Sequence, residues 1–142
     1  MDSTQPTDQE LPSFQEDHLL TDPTTLALIQ TQSALYTQLV QGFSIKEANK
    51  ISSQDRLLQL GEADYDMTPY TYGEITFEPI AEIMHFILAE GYLEKAENVF
   101  YDLGSGFGKP CLAAALSIPQ KFSKCVGIEY LDGLYDESIK LK

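Results

Sequence analysis

The sequence predicts a mixed α/β chain in which an α-helical amino-terminal part leads into a strand, a glycine-rich turn, a helix and a second strand. Three observations carry this. Asn98 to Leu103 is an apolar run with the aromatic and β-branched content of a buried parallel strand, and Gly104, Gly106 and Gly108 follow it at once. Lys109 to Leu116 reads as a helix opened by Pro110 in its first turn. Lys124 to Ile128 is a second apolar run, ended by Glu129. Strand, turn, helix and strand make the first half of a nucleotide-binding βαβ unit.

Residues 1–22 are rich in Asp, Glu, Gln, Pro, Ser and Thr and read as a disordered acidic tail. Thr21-Asp22-Pro23 is a helix start, and Leu26, Ile29, Leu35, Leu39 and Val40 supply apolar positions until Gly42. Ser44-Ile45-Lys46-Glu47 is a capping box that opens a second helix, ending near Gly61. Ile45, Ala48, Ile51, Leu57, Leu58 and Leu60 give that helix an apolar side, and Lys46, Lys50 and Arg56 a solvated one. Ile80, Ile83, Met84, Ile87 and Leu88 form the buried stripe of a third helix, closed by Gly91. At the far end, Asp132-Gly133 reads as a turn and Ile139 to Lys142 as helix.

The residues around the glycines decide which nucleotide fits. A dinucleotide fingerprint places its third glycine three positions after the second, where this chain has Lys109. A P-loop follows Gly-Lys with Ser or Thr, where this chain has Pro110. Asp102 discriminates physically: a carboxylate beside the turn repels a pyrophosphate and suits a ligand carrying an ammonium and a sulfonium. S-adenosylmethionine is such a ligand. Glu129 stands where the acid after the second strand accepts hydrogen bonds from ribose hydroxyls. An ordinary strand-to-helix turn without a ligand is the alternative.

Tyr72-Gly73-Glu74-Ile75-Thr76-Phe77, then a helix, then Tyr101-Asp102-Leu103-Gly104-Ser105-Gly106-Phe107-Gly108-Lys109 and Gly127-Ile128-Glu129 together resemble the disruptor-of-telomeric-silencing histone methyltransferases, which lack the SET fold. The glycine motif is shared by many methyltransferases; the Tyr-Gly-Glu loop upstream narrows the choice. The resemblance covers roughly residues 26–140. It implies a Rossmann-type S-adenosylmethionine-dependent methyltransferase fold preceded by a helical subdomain. It also implies transfer of a methyl group to a lysine in the globular core of histone H3, in the nucleus, with histone H3 or the nucleosome as partner.

The same resemblance implies that Asp102, Gly104, Ser105, Gly106 and Gly108 hold the methionine part of the cofactor and Glu129 its ribose, with Leu103, Phe107 and Lys109 of the same motif also among the cofactor-binding residues. Tyr72, Gly73 and Glu74 close over it from the other side, with Ile75 next to them also a cofactor-binding candidate. Ile75 departs from the family's threonine and offers no hydroxyl, for which Thr76 is the nearest stand-in. The loop has another reading, as the start of a helix with Thr76 as N-cap, Pro79 in the first turn and Tyr72 as a staple. The implied organisation is a tail over 1–22, a helical subdomain with the cofactor loop over 23–75, and the first part of the methyltransferase domain over 76–142.

At roughly 30 residues per strand-helix-strand unit, only two strands fit between Asp102 and Lys142. The family's catalytic asparagine and lysine channel lie beyond the ribose-binding acid, so the expectation is a piece of a longer domain, inactive alone, with its catalytic residues unassigned. A non-catalytic cofactor-binding remnant or interaction module, or a methyltransferase acting on another protein, are the alternatives.

The formal net charge is -13, from 9 basic and 22 acidic residues. Such a chain is repelled by phosphate backbones, which argues against direct nucleic-acid binding and fits a basic protein substrate or plain solubility. No run is long and apolar enough for a membrane span, no signal peptide opens the chain, and the expectation is a soluble intracellular protein. Cys111 and Cys125 lack metal-ligand spacing and read as buried thiols; His18 and His85 have no partner cluster, so no metal site is expected.

Overall fold

The computed structural model of the chain describes residues 22–60, 72–95 and 97–141. The expected acidic tail lies, apart from Asp22, outside the described residues, as do Gly61, His18 and Lys142. Five helices and two strands follow in the order α1 (Pro23–Leu39), α2 (Ile45–Leu60), α3 (Phe77–Ala89), β1 (Asn98–Leu103), α4 (Lys109–Ser117), β2 (Phe122–Ile128) and α5 (Asp132–Ser138), with a 3-10 turn over Ile139–Leu141.

The strands pair in parallel, with Tyr101 opposite Val126 and Leu103 opposite Ile128, and form a two-stranded sheet. The architecture is α/β, with α4 as the crossover between the strands. On one face Phe100, Phe122 and Cys125 meet Ala113, Ala114 and Ile118 of α4 and its exit, and α1 and α3 close this core with Ile29, Tyr36, Phe77, Ile80, Ala81 and Met84. A second, smaller core joins Ala48 of α2 to Leu131 and Leu134 around Phe107, the bulky residue of the glycine turn.

Local sequence explains the element ends. Asp22 accepts from Thr24 N and from Thr25 N at 2.9 Å, satisfying two of the free amides of α1. Half of the expected capping box forms: Glu47 N donates to Ser44 Oγ at 3.2 Å, while the Glu47 carboxylate pairs with Lys50 instead. Helix α3 stops in a Schellman motif, in which Tyr92 N bonds to Ile87 O and Gly91 N to Leu88 O.

Several faces differ from the sequence expectation. In α1 the buried side chains are Ile29, Gln32 and Tyr36, whereas Leu26, Leu35 and Leu39 are exposed. Gln32 turns inward because its amide donates to Ser117 O at the end of α4, at 3.1 Å. Leu57 and Leu58 of α2 are exposed and Ser52 is buried in their place. Ile83 of α3 is exposed, while Phe77 and Ala81 join the core. Strand β1 is covered on one face alone: Val99, Tyr101 and Leu103 alternate outward, and Leu103 is 78 % exposed. Asp132 and Gly133 lie within the first turn of α5, and Ile139–Leu141 tightens into 3-10 geometry. The thiols of Cys111 and Cys125 are half-buried and unbridged.

Candidate functional site

The glycine turn is fixed to the end of β2 by its backbone. Gly104 N and Ser105 N both donate to Ile128 O, at 2.8 and 3.1 Å, and Gly108 N donates to Ser105 O at 2.8 Å. Ser105 is buried directly under β2, and a Cβ on Gly127 would sit 2.5 Å from Ser105 Oγ. Position 127 therefore has to be glycine for the turn to seat, a requirement that sequence inspection assigns no role.

The loop before α3 lies on this turn. The Tyr72 ring covers Gly106 so closely that a Cβ there would meet Tyr72 Cε2 at 2.5 Å, and Gly106 has a φ of +52° that disfavours side chains. Tyr72 also packs on Phe107, with ring centroids 5.9 Å apart. Thus Tyr72 packs on the glycine turn, while the N-cap position of α3 is held by Thr76. Thr76 makes no side-chain cap hydrogen bond and is not among the residues lining the cavity.

Glu74 ties the two motifs together. Its Oε1 accepts from Lys109 Nζ at 2.6 Å and from the Tyr72 hydroxyl at 2.6 Å. The Lys109 side chain is 9 % exposed and that of Glu74 21 %. Burial, reinforced by Glu74, pushes the Tyr72 phenol well above its ordinary pKa. Tyr36 of α1 is pushed up to about 12, by burial first and then by Glu74 and Glu78.

Between loop and turn is a cavity of about 380 Å³, within the range of small-molecule sites. Tyr72, Gly73, Glu74, Ile75, Asp102, Gly104, Ser105, Gly106 and Lys109 all line it. The structure thus brings together two motifs that lie apart in sequence. It sets the remaining candidates elsewhere. Leu103 points to the open face of the sheet, Phe107 is 1 % exposed in the second core, Gly108 lines a groove along β2 between α4 and α5, and Glu129 is not among the residues lining the cavity. That groove, about 410 Å³, is slightly larger, but of the candidates it holds only Ser105, Phe107 and Gly108.

Asp102 gives the cavity its chemistry. Its Oδ2 is buried with no hydrogen-bond partner, and burial, then the charge of Glu129, raise its pKa above the ordinary carboxylate value. The Glu74–Lys109 pair cancels its own charge, so among the acidic residues lining the cavity Asp102 is the one whose charge is not offset by a paired cation. Glu129 follows β2 and is engaged by backbone: Oε2 accepts from Gly106 N at 2.7 Å, and Oε1 from Tyr130 N and Leu131 N at 2.8 and 2.9 Å. Among the described residues no group of three or more His, Cys, Asp or Glu side chains is placed to hold a metal ion, and no helix is long and apolar enough to cross a membrane.

Comparison with curated proteins and with solved structures gave no match. The sequence model of one family, described as Histone methylation protein DOT1, matches residues 59–138, which is more than half of the chain and includes the Tyr72 loop, the glycine turn and Glu129. The chain belongs to the DOT1 histone methylation protein family.

Proposed function

We propose that the cavity binds S-adenosylmethionine and that the chain forms part of a Rossmann-type methyltransferase domain acting on a lysine in the globular core of histone H3, in the nucleus. One observation carries the cofactor reading: Asp102 lines the cavity, and its Oδ2 is buried without a hydrogen-bond partner. A buried acceptor without a partner costs roughly 1–3 kcal/mol, and an ammonium or sulfonium beside it recovers that cost. A pyrophosphate at the same place adds repulsion. The methionine end would then lie against Asp102, Gly104, Ser105 and Gly106, under Tyr72 and beside the Glu74–Lys109 pair, with Glu129 towards the ribose.

Bound there, the cofactor supplies an electrophilic methyl group. The residues of this chain bind and orient it and keep water out by closing the Tyr72–Ile75 loop over the turn, which are positioning and desolvation effects. The domain organisation we propose is a tail over 1–22, a helical subdomain with the cofactor loop over 23–75, and the first part of the methyltransferase domain over 76–142. The excess of acidic over basic residues favours encounter with a basic protein such as a histone.

Calorimetric titration of the purified chain tests this. S-adenosylmethionine and S-adenosylhomocysteine are expected to bind, NAD and ADP are not, and Asp102→Asn is expected to weaken the sulfonium form most. Equal affinity for ADP, or no binding of either thioether-related ligand, would remove the cofactor reading.

A further inference from the structure

The ribose role given to Glu129 takes no account of what its carboxylate already does. Three backbone amides converge on it, from Gly106 on one side and from Tyr130 and Leu131 on the other. A carboxylate has about four acceptor sites, so about one is left for a ligand. The Gly106 contact joins positions 23 residues apart and is part-buried. It fixes the very residue on which the Tyr72 ring rests. No other hydrogen bond to the Gly106 amide is present among the described residues, whereas Gly104, Ser105 and Gly108 have backbone carbonyl partners.

We propose that Glu129 is a positioning residue for the glycine turn: it holds the Gly106 amide, and through it the seat of Tyr72, so that it supports ligand affinity even when the ligand offers no ribose hydroxyl. This rests on the cofactor reading and deepens it. A residue acting only through the ribose has no influence on a ligand without the hydroxyls; a residue that shapes the turn has.

The test pairs two probes, S-adenosylhomocysteine and its 2′,3′-dideoxy analogue, with wild type, Glu129→Ala and Glu129→Gln in the full chain. Glu129→Ala is expected to weaken both probes by a similar factor, on the order of tenfold, the scale of a charge-assisted hydrogen bond. Glu129→Gln, which keeps one acceptor oxygen, is expected to restore part of the loss for both. Without any ligand, hydrogen exchange at the Gly106 amide should be slow in wild type and faster in Glu129→Ala, with the amides of α1 and α3 unchanged. Wild-type affinity of Glu129→Ala for the dideoxy probe, or unchanged exchange at Gly106, overturns the proposal. If neither probe binds wild type, the cofactor reading fails, and the Gly106 exchange still decides whether the clamp exists. Should Glu129→Ala not fold, Glu129→Gln carries the same comparison.

Discussion

Glu74 and Lys109 form a partly buried ion pair that should respond unequally to loss of either partner. Lys109 is the first residue of α4, where the helix dipole is positive and where Gly108 offers no side-chain cap. Its ammonium is therefore held in an unfavourable field by Glu74, at 2.6 Å, the one side-chain partner among the described residues. Glu74→Gln leaves this cation with a neutral acceptor in a site that is 9 % exposed. Breaking a fully buried pair costs about 3–5 kcal/mol, and the exposure of Glu74 and the retained amide oxygen reduce this to about 2 kcal/mol. Lys109→Met removes the cation together with its conflict with the dipole, keeps a similar volume and leaves the Tyr72 hydroxyl bonded to Glu74, so about 1 kcal/mol is expected. Urea unfolding with a common slope should place the Glu74→Gln midpoint below that of Lys109→Met by about 0.5 M. The double variant should be more stable than Glu74→Gln alone, because no unpaired cation remains. A greater loss in Lys109→Met than in Glu74→Gln would refute the reasoning.

Asp102→Asn should raise the urea midpoint at pH 7 while weakening the cationic cofactor. The raised pKa of Asp102 means that its contribution to stability is fully present below the unfolded value of 3.8 and is lost as pH rises through the folded value, so the neutral amide removes a penalty that wild type carries at pH 7. Gly106→Ala should cost about 1–3 kcal/mol, from the positive φ and the 2.5 Å approach to Tyr72, and should abolish cofactor binding in titration; wild-type affinity would show that the ring moves aside freely. His85 has a buried Nε2 without a partner, and burial lowers its pKa. Its contribution is present above the unfolded value of 6.5 and lost as pH falls through the folded value, so His85→Phe should flatten the pH dependence of the urea midpoint below pH 6.5.

Elements governed by local chemistry were legible in the sequence. Asp22-Pro23 starts α1, β1 spans Asn98–Leu103 as expected, and α4 opens at Lys109 with Pro110. The convergence of the Tyr72 loop on the glycine turn was legible only through the family resemblance, because no spacing rule links residues this far apart. What the sequence hid depends on the neighbouring element. Leu35 and Leu39 look like core, but α1 packs against α3 and the end of α4, whose Ser117 carbonyl selects Gln32. Leu103 has the character of a buried strand residue, yet the described residues cover one face of the sheet. Lys109 reads as a ligand contact, and its burial against Glu74 emerges only when the two motifs meet.

Phe107 gives the glycine turn two sides with different duties. Gly104 and Gly106 before it offer bare backbone to the cavity, while its own ring is sunk among Phe43, Ala48, Leu131 and Leu134 and meets Phe43 edge-on at 5.6 Å. The floor of the cavity is thus riveted through one side chain to α2 and α5. Thermal agitation that loosens those two helices reaches the floor without passing through the sheet, and a small molecule that firms the floor restrains them in return. Rigidity at the site is borrowed from two helices that, among the described residues, supply none of the cavity's lining.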